Sequence, residues 1–178
     1  MVIKPWELLE SEEIKVGRRK IEKRLYLLPN GKQSDFYIKK ETLACAVLSF
    51  TPERQVILAK QFRPGPNKIL LEIPGGKIEP GEIPIKTAER ELLEETGYKG
   101  DLMFVTTAFD CAYSSLIRYC YVAINCKKVA EQKLDDTEFI DVVLLPLGGF
   151  KNLLRSGEMT DVEVGYLGLD YIERNLLF

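Results

Sequence analysis

Residues 69–98 read Ile69-Leu-Leu-Glu-Ile-Pro-Gly-Gly-Lys-Ile-Glu-Pro-Gly-Glu-Ile-Pro-Ile-Lys-Thr-Ala-Glu-Arg-Glu-Leu-Leu-Glu-Glu-Thr-Gly-Tyr98. An apolar run, Ile69–Ile73, ends at Pro74-Gly75-Gly76, where the backbone can approach a ligand closely. Pro80-Gly81 turns the chain, Pro84 suits a first helical position, and Gly97 suits the residue just past a helix end. Between them the sequence predicts a short helix with Ala88, Leu92 and Leu93 as its packing side. At about 100° per residue, Glu91 and Glu95 point nearly the same way and Glu94 lies less than a third of a turn aside. Glutamates on a helix are by themselves only a solvated face. Here they follow a strand and a glycine loop, and their mutual repulsion, roughly 0.2–0.5 kcal/mol for one i,i+4 pair, is relieved by a hard divalent cation. Carboxylate oxygens suit Mg²⁺ or Mn²⁺. Arg90 is placed to pair with Glu94 at i+4.

Composition narrows the chemistry. The 178 residues, 46% of them hydrophobic, are enough for one globular domain with an ample core. A net charge of −2 argues against a dedicated nucleic-acid binder. The chain has no histidine, which excludes Ser-His-Asp and Cys-His catalysis and any His-containing zinc site. Cys45, Cys111, Cys120 and Cys126 show no C-x-x-C spacing, and Cys45 and Cys120 read as small core residues. No signal peptide or stretch of eighteen apolar residues is evident, so a soluble cytoplasmic protein with no membrane partner is expected.

The remaining chain alternates strand and helix signals. Arg18–Leu28 and Asp35–Lys39 flank the Pro29-Asn30-Gly31 turn, and Thr42–Phe50 and Gln55–Phe62 form a second pair. Ile69–Ile73, Leu102–Phe109, Ile117–Ile124 and Phe139–Leu145 are further strand candidates. Helices are expected over Gly148–Arg155 and from Thr160 to about Asn175, the second opened by a Thr160/Glu163 capping box. Val164, Leu167, Tyr171 and Ile172 give it an apolar face.

The spacing of Gly76, Glu82, Arg90-Glu91-Leu92, Glu94-Glu95 and Gly97 resembles the Nudix box at every fixed position, with Tyr98 where Ile, Leu or Val is usual. The resemblance implies an α/β Nudix fold, with mixed β-sheets sandwiched between helices. It further implies a Mg²⁺-dependent enzyme (Mn²⁺ being the alternate) that hydrolyses a nucleoside diphosphate linked to another group. By position, Glu91, Glu94, Glu95 and the Gly75 carbonyl would be metal ligands, with Glu82 a supporting carboxylate. Outside the box, Gln61-Phe62-Arg63, LEIPGG and LRSGEMTDVEVGYLGLDYI look like the ADP-ribose pyrophosphatase branch. Residues 1–40 look like that branch's extra N-terminal antiparallel sheet, exchanged between subunits of a homodimer, with 41–178 as the Nudix domain.

Matching positions suggest further roles. Arg63 would contact the diphosphate, although it suits a salt bridge at a strand end equally well. Cys111 and Ala112 stand where that branch has Pro-Gly, a marker of ADP-ribose preference, and Leu116 replaces an acid. Asp110, Tyr113 and Ser114 could then contact a different leaving group. In the acidic loop 134–139, Glu138 would be a further metal ligand and Asp136 the general base, both facing the site if the segment is extended. Glu94 or Glu95 could orient the water instead. ADP-ribose is the expected substrate. Another nucleotide sugar, a dinucleotide, or a sensor that binds without cleaving are the alternatives.

Overall fold

Alternation of apolar side chains on Ala44–Phe50 decides how the layers assemble. The computed structural model describes residues 3–177. Strand β4 (Ala44–Phe50) turns Ala46, Leu48 and Phe50 to one face and Cys45 and Val47 to the other. Both faces are buried, so both require a covering layer.

The sheet around β4 contains β5 (Gln55–Arg63), β6 (Lys68–Glu72), β7 (Gly75–Lys77), β8 (Tyr98–Phe109), β9 (Ile117–Lys128) and β10 (Asp141–Pro146). Its order is β10-β5-β4-β9-β8, with β6 beside β5 and β7 beside β4. β4 runs parallel to β9 and antiparallel to β5 and β7, so the sheet is mixed. Helix α1 (Pro84–Thr96) covers one face with Ala88 and Leu92 against Cys45, Val47, Tyr121 and Ala123. Helices α2 (Leu147–Ser156) and α3 (Val162–Arg174) cover the other, where Phe150, Leu154, Val164 and Ile172 meet Leu48, Phe50 and Val122. The sandwich of helices around a mixed sheet is the one expected.

Residues through Thr42 and the segment Phe109–Ile117 form a separate compact unit. Here β1 (Glu7–Val16), β2 (Arg19–Leu27) and β3 (Gln33–Lys39) make an antiparallel sheet in the order β1-β2-β3. Tyr26 and Phe36 pack at a ring distance of 5.8 Å, and Trp6 lies on Phe36 at 5.3 Å. The segment 109–117 joins this sheet through Lys39 N–H to Tyr113 O at 2.8 Å and Ser115 N–H to Lys39 O at 3.0 Å.

Three local expectations need correction. β1 was not among the strand candidates, because ELLESEEIKV is exposed along nearly its whole length and has no apolar alternation. Gly75–Lys77, read as a loop, is a short strand held by pairing with β4. The Thr160/Glu163 capping box does not form: Asp161, at φ 54°, is the N-cap and makes no side-chain cap bond. The Thr160 hydroxyl donates to Asp161 and Glu163 accepts from Arg118, a charged partner that outcompetes a local cap. By contrast Pro84 opens α1, and Gly97, at φ 77°, closes it with its N–H donating to Leu93 O at 2.8 Å.

Candidate active site

The site begins where β6 ends. Pro74 O accepts the Val47 N–H at 2.9 Å, and Gly75 and Gly76 then lie opposite Ala46 and Cys45. A Cβ on Gly75 would fall 2.2 Å from the Cys45 carbonyl oxygen, and one on Gly76 would fall 2.3 Å from Glu91 Oε1. Glycine is therefore required twice, once for the sheet and once for a carboxylate.

Helix α1 brings its acidic stripe onto that strand. Glu95 Oε2 accepts the Gly75 N–H at 2.9 Å, and the side chain is only 5% exposed. Burial pushes its carboxyl up to about 8; Glu91 and Glu138 add to the rise, while the Gly75 bond and Arg63 oppose it. Glu91 is also pushed up, by burial first, with Arg90 opposing and Glu94 and Glu138 adding. Arg90 gathers the other acids. Its Nη1 donates to Glu91 Oε1 at 2.8 Å and Glu94 Oε2 at 2.9 Å, while Nε and Nη2 donate to Glu82 at 3.1 and 3.2 Å. That guanidinium holds Glu82 down at about 2.

Among the described residues, no three acidic side chains converge on one point as a ready-made ion cage. Arg90 occupies the centre instead. The donor set nonetheless fits a divalent cation. It is all oxygen, and it contains two desolvated carboxyls, Glu91 and Glu95, with Glu91 adding to the rise at Glu95 and Glu94 and Glu138 adding to the rise at Glu91.

The acidic loop is pinned to the end of α1. Gln132 Nε2 donates to Glu95 O at 2.6 Å and Ile140 O at 3.0 Å, and Lys133 N–H donates to Glu94 O at 2.8 Å. The expected extended segment does not form. Glu138 N–H donates to Asp135 O at 2.9 Å, closing a turn at Asp136 and Thr137, residue types that favour turns. Asp136 is exposed at its tip, whereas the charge of Glu138 acts on both Glu91 and Glu95.

Arg63 makes the strand-end salt bridge that the sequence left open. Its Nε and Nη2 grip Glu72 at 2.6–2.9 Å, and Gln61 Nε2 joins at 3.1 Å. Glu72, the partner of Arg63, was not singled out in the sequence. Its signal was an acid inside the apolar run Ile69–Ile73, and it is buried in the fold. Arg118 was missed too; it pairs with Asp161 at 3.0 Å and with Glu163.

The other three expected contact residues belong to the first unit. Asp110 Oδ2 accepts from Lys39 Nζ at 3.4 Å, Tyr113 stacks on Phe36 at 6.4 Å and 14°, and Ser114 Oγ accepts the Leu116 N–H at 3.2 Å.

A glycine strand carrying two desolvated glutamates from the following helix defines the class: residues 40–161 match the NUDIX domain, and the chain belongs to the Nudix family. It is an enzyme of that family's hydrolase type. The chain is 38% identical over 149 residues to the ADP-ribose pyrophosphatase of Bacillus subtilis (strain 168), covering 82% of this chain and 80% of that protein. It is 34% identical over 169 residues to the methanol dehydrogenase activator of Bacillus methanolicus, covering 90% and 91%. A crystal structure of an ADP compounds hydrolase superposes with a TM-score of 0.83 over 98% of both chains at 22% identity, a likeness of fold alone. Nudix hydrolases generally use divalent metal ions. Among the described residues no helix is long and apolar enough to cross a membrane.

Proposed function

We propose that the chain hydrolyses the diphosphate bond of ADP-ribose, releasing AMP and ribose 5-phosphate. The observation that carries this reading is Glu95, an acid buried beside Glu91 and bonded to the Gly75 amide, in a chain with a pyrophosphatase relative over most of its length. Glu91, Glu94, Glu95, Glu138 and the Gly75 carbonyl would hold Mg²⁺, with Mn²⁺ as alternate. When bound, the ion supplies counter-charge to the diphosphate oxygens and acidifies water.

The chain's own residues do the rest. Arg90 orients Glu91 and Glu94 from one guanidinium. Arg63 faces a non-bridging oxygen of the diphosphate with its planar cation. Asp136 or Glu138, on the pinned loop, accepts the proton of the attacking water; of the two, the field of Glu138 at Glu91 and Glu95 favours Glu138. Asp110, Tyr113 and Ser114 are proposed, from their positions in the sequence, as contacts for the leaving group. A cytoplasmic homodimer that exchanges its N-terminal strands is part of the same reading. It is supported by the exposed apolar side chains Ile3, Leu8, Leu9 and Val16.

The test is direct. Incubation with ADP-ribose and Mg²⁺ should yield AMP and ribose 5-phosphate in equal amounts. Faster cleavage of another sugar nucleotide or a dinucleotide would replace the substrate assignment, given Cys111-Ala112 in place of Pro-Gly. A second reading is favoured by the match to a methanol dehydrogenase activator over 90% of the chain. It adds a dehydrogenase as protein partner, and a rise in that enzyme's turnover on mixing would support it.

A further inference from the structure

Glu72 and Arg63 sit on neighbouring antiparallel strands, and register explains their meeting. Glu72 lies opposite Ala59, and Leu70 opposite Gln61. Ala59, Gln61 and Arg63 share one face of β5 at a period of two, so Glu72 projects to the same face. Lys68 lies directly opposite Arg63. Like charges repel there, which drives Lys68 out to Glu158 at 2.9 Å and Arg63 along the strand to Glu72.

The resulting pair is asymmetric. Glu72 is 2% exposed, yet the side chain of Arg63 is 45% exposed. Nε and Nη2 are committed to Glu72, and Gln61 holds the Oε2 that Nη2 uses. Nη1 donates to no protein group among the described residues. Glu95 on α1 and Asp161 at the start of α3 also act on the Arg63 charge. A buried ion pair is a poor way to gain stability, since an apolar pair of similar volume often does as well. It is a good way to hold a guanidinium at one angle.

We propose that Glu72 is a positioning residue: by clamping the Nε–Nη2 edge of Arg63, with Gln61 bracing the clamp, it presents Nη1 to the diphosphate of the substrate. The assignment rests on the diphosphate-hydrolase reading above. Without the clamp Arg63 has four torsions free and competing carboxylates nearby, so its productive orientation must be found at each turnover.

The test uses whichever diphosphate compound the wild-type enzyme cleaves fastest. Glu72→Gln should lower kcat/KM by roughly 10- to 100-fold, the factor carried by a charge-assisted hydrogen bond. The loss should fall mainly on kcat, because phosphate charge grows toward the transition state. The double variant E72Q/R63A should be no worse than R63A alone. Wild-type kcat/KM in E72Q, or losses that multiply in the double variant, overturn the proposal. Should E72Q fail to fold, Arg63→Lys keeps the counter-charge; it should fall to the R63A level, and wild-type activity in R63K overturns the claim. A readout free of substrate is the Arg63 Nε–H signal in ¹⁵N NMR: slow exchange supports the clamp and fast exchange overturns it. Failure to cleave any diphosphate would sink the hydrolase reading, and with it the role, while that signal still registers the clamp.

Discussion

Glu95 Oε2 lies 2.9 Å from the Gly75 amide nitrogen, a bond that ties the acidic stripe of α1 to the short glycine strand. It satisfies one oxygen of a buried carboxyl, and neither that bond nor the charge of Arg63 offsets the burial. The pH response follows from that. Folding keeps a proton on Glu95 up to about 8, whereas the unfolded chain releases it near 4.5. Over that window the native state binds more protons than the unfolded state, so stability falls as pH rises. Without divalent metal, the thermal midpoint should decline from pH 5 to pH 8. Glu95→Gln should flatten that slope and abolish turnover, by about 10³-fold or more, while the fold persists. Added Mg²⁺ should raise the wild-type midpoint most at pH 8. A midpoint flat in pH, or near-native turnover in E95Q, would refute the assignment.

Gly75 and Gly76 should fail in different ways. The Cβ of Gly75→Ala meets the Cys45 carbonyl, so β7 must separate from β4, at a cost of about 1–3 kcal/mol. The atoms nearest the Cβ of Gly76→Ala are those of the Glu91 carboxylate, the far end of a side chain that can swing away. G75A should therefore lose stability in a denaturant titration. G76A should keep most of its stability and lose activity.

Arg90 holds Glu82, Glu91 and Glu94 together and competes with any cation for two of them. Arg90→Ala should cost about 1 kcal/mol of stability, since the group is partly exposed and screened. Mn²⁺ titration followed by paramagnetic resonance should show binding at least as tight as wild type, because a competing positive charge is gone. Turnover should still fall by roughly 10-fold or more, because Glu91 and Glu94 lose their common orientation.

The loop acids separate by substitution. Asp136 is at the exposed tip of a turn, while Glu138 bonds back to the Asp135 N–H at 3.1 Å and acts on Glu91 and Glu95. Glu138→Gln should reduce kcat by about 10²-fold or more, and Asp136→Asn by less than about 2-fold. The reverse order in initial-rate measurements would identify Asp136 as the base.

Much of this was legible before any coordinates. Runs rich in Val, Ile, Tyr and Phe mark β4, β5 and β9 because a strand buried on both faces is apolar along its length. The strand β1 escapes such a reading: its charged residues pair with β2 and pack on little else. Gly75–Lys77 has no strand propensity and is a strand only because β4 offers it hydrogen bonds. Thr160 and Glu163 have the spacing of a cap, but Arg118, forty-odd residues earlier in the chain, takes Glu163 away.

By itself the sequence determined which acids share one side of α1, and that glycine must precede them, because both depend on a helical repeat and on backbone sterics within a few residues. Only the tertiary structure decided that Arg90 would stand among Glu82, Glu91 and Glu94, that Glu72 would hold Arg63, and that Asp136 would lie exposed in a turn. Those outcomes turn on strand register and competition between charged partners, and neither is written in the spacing of any one segment.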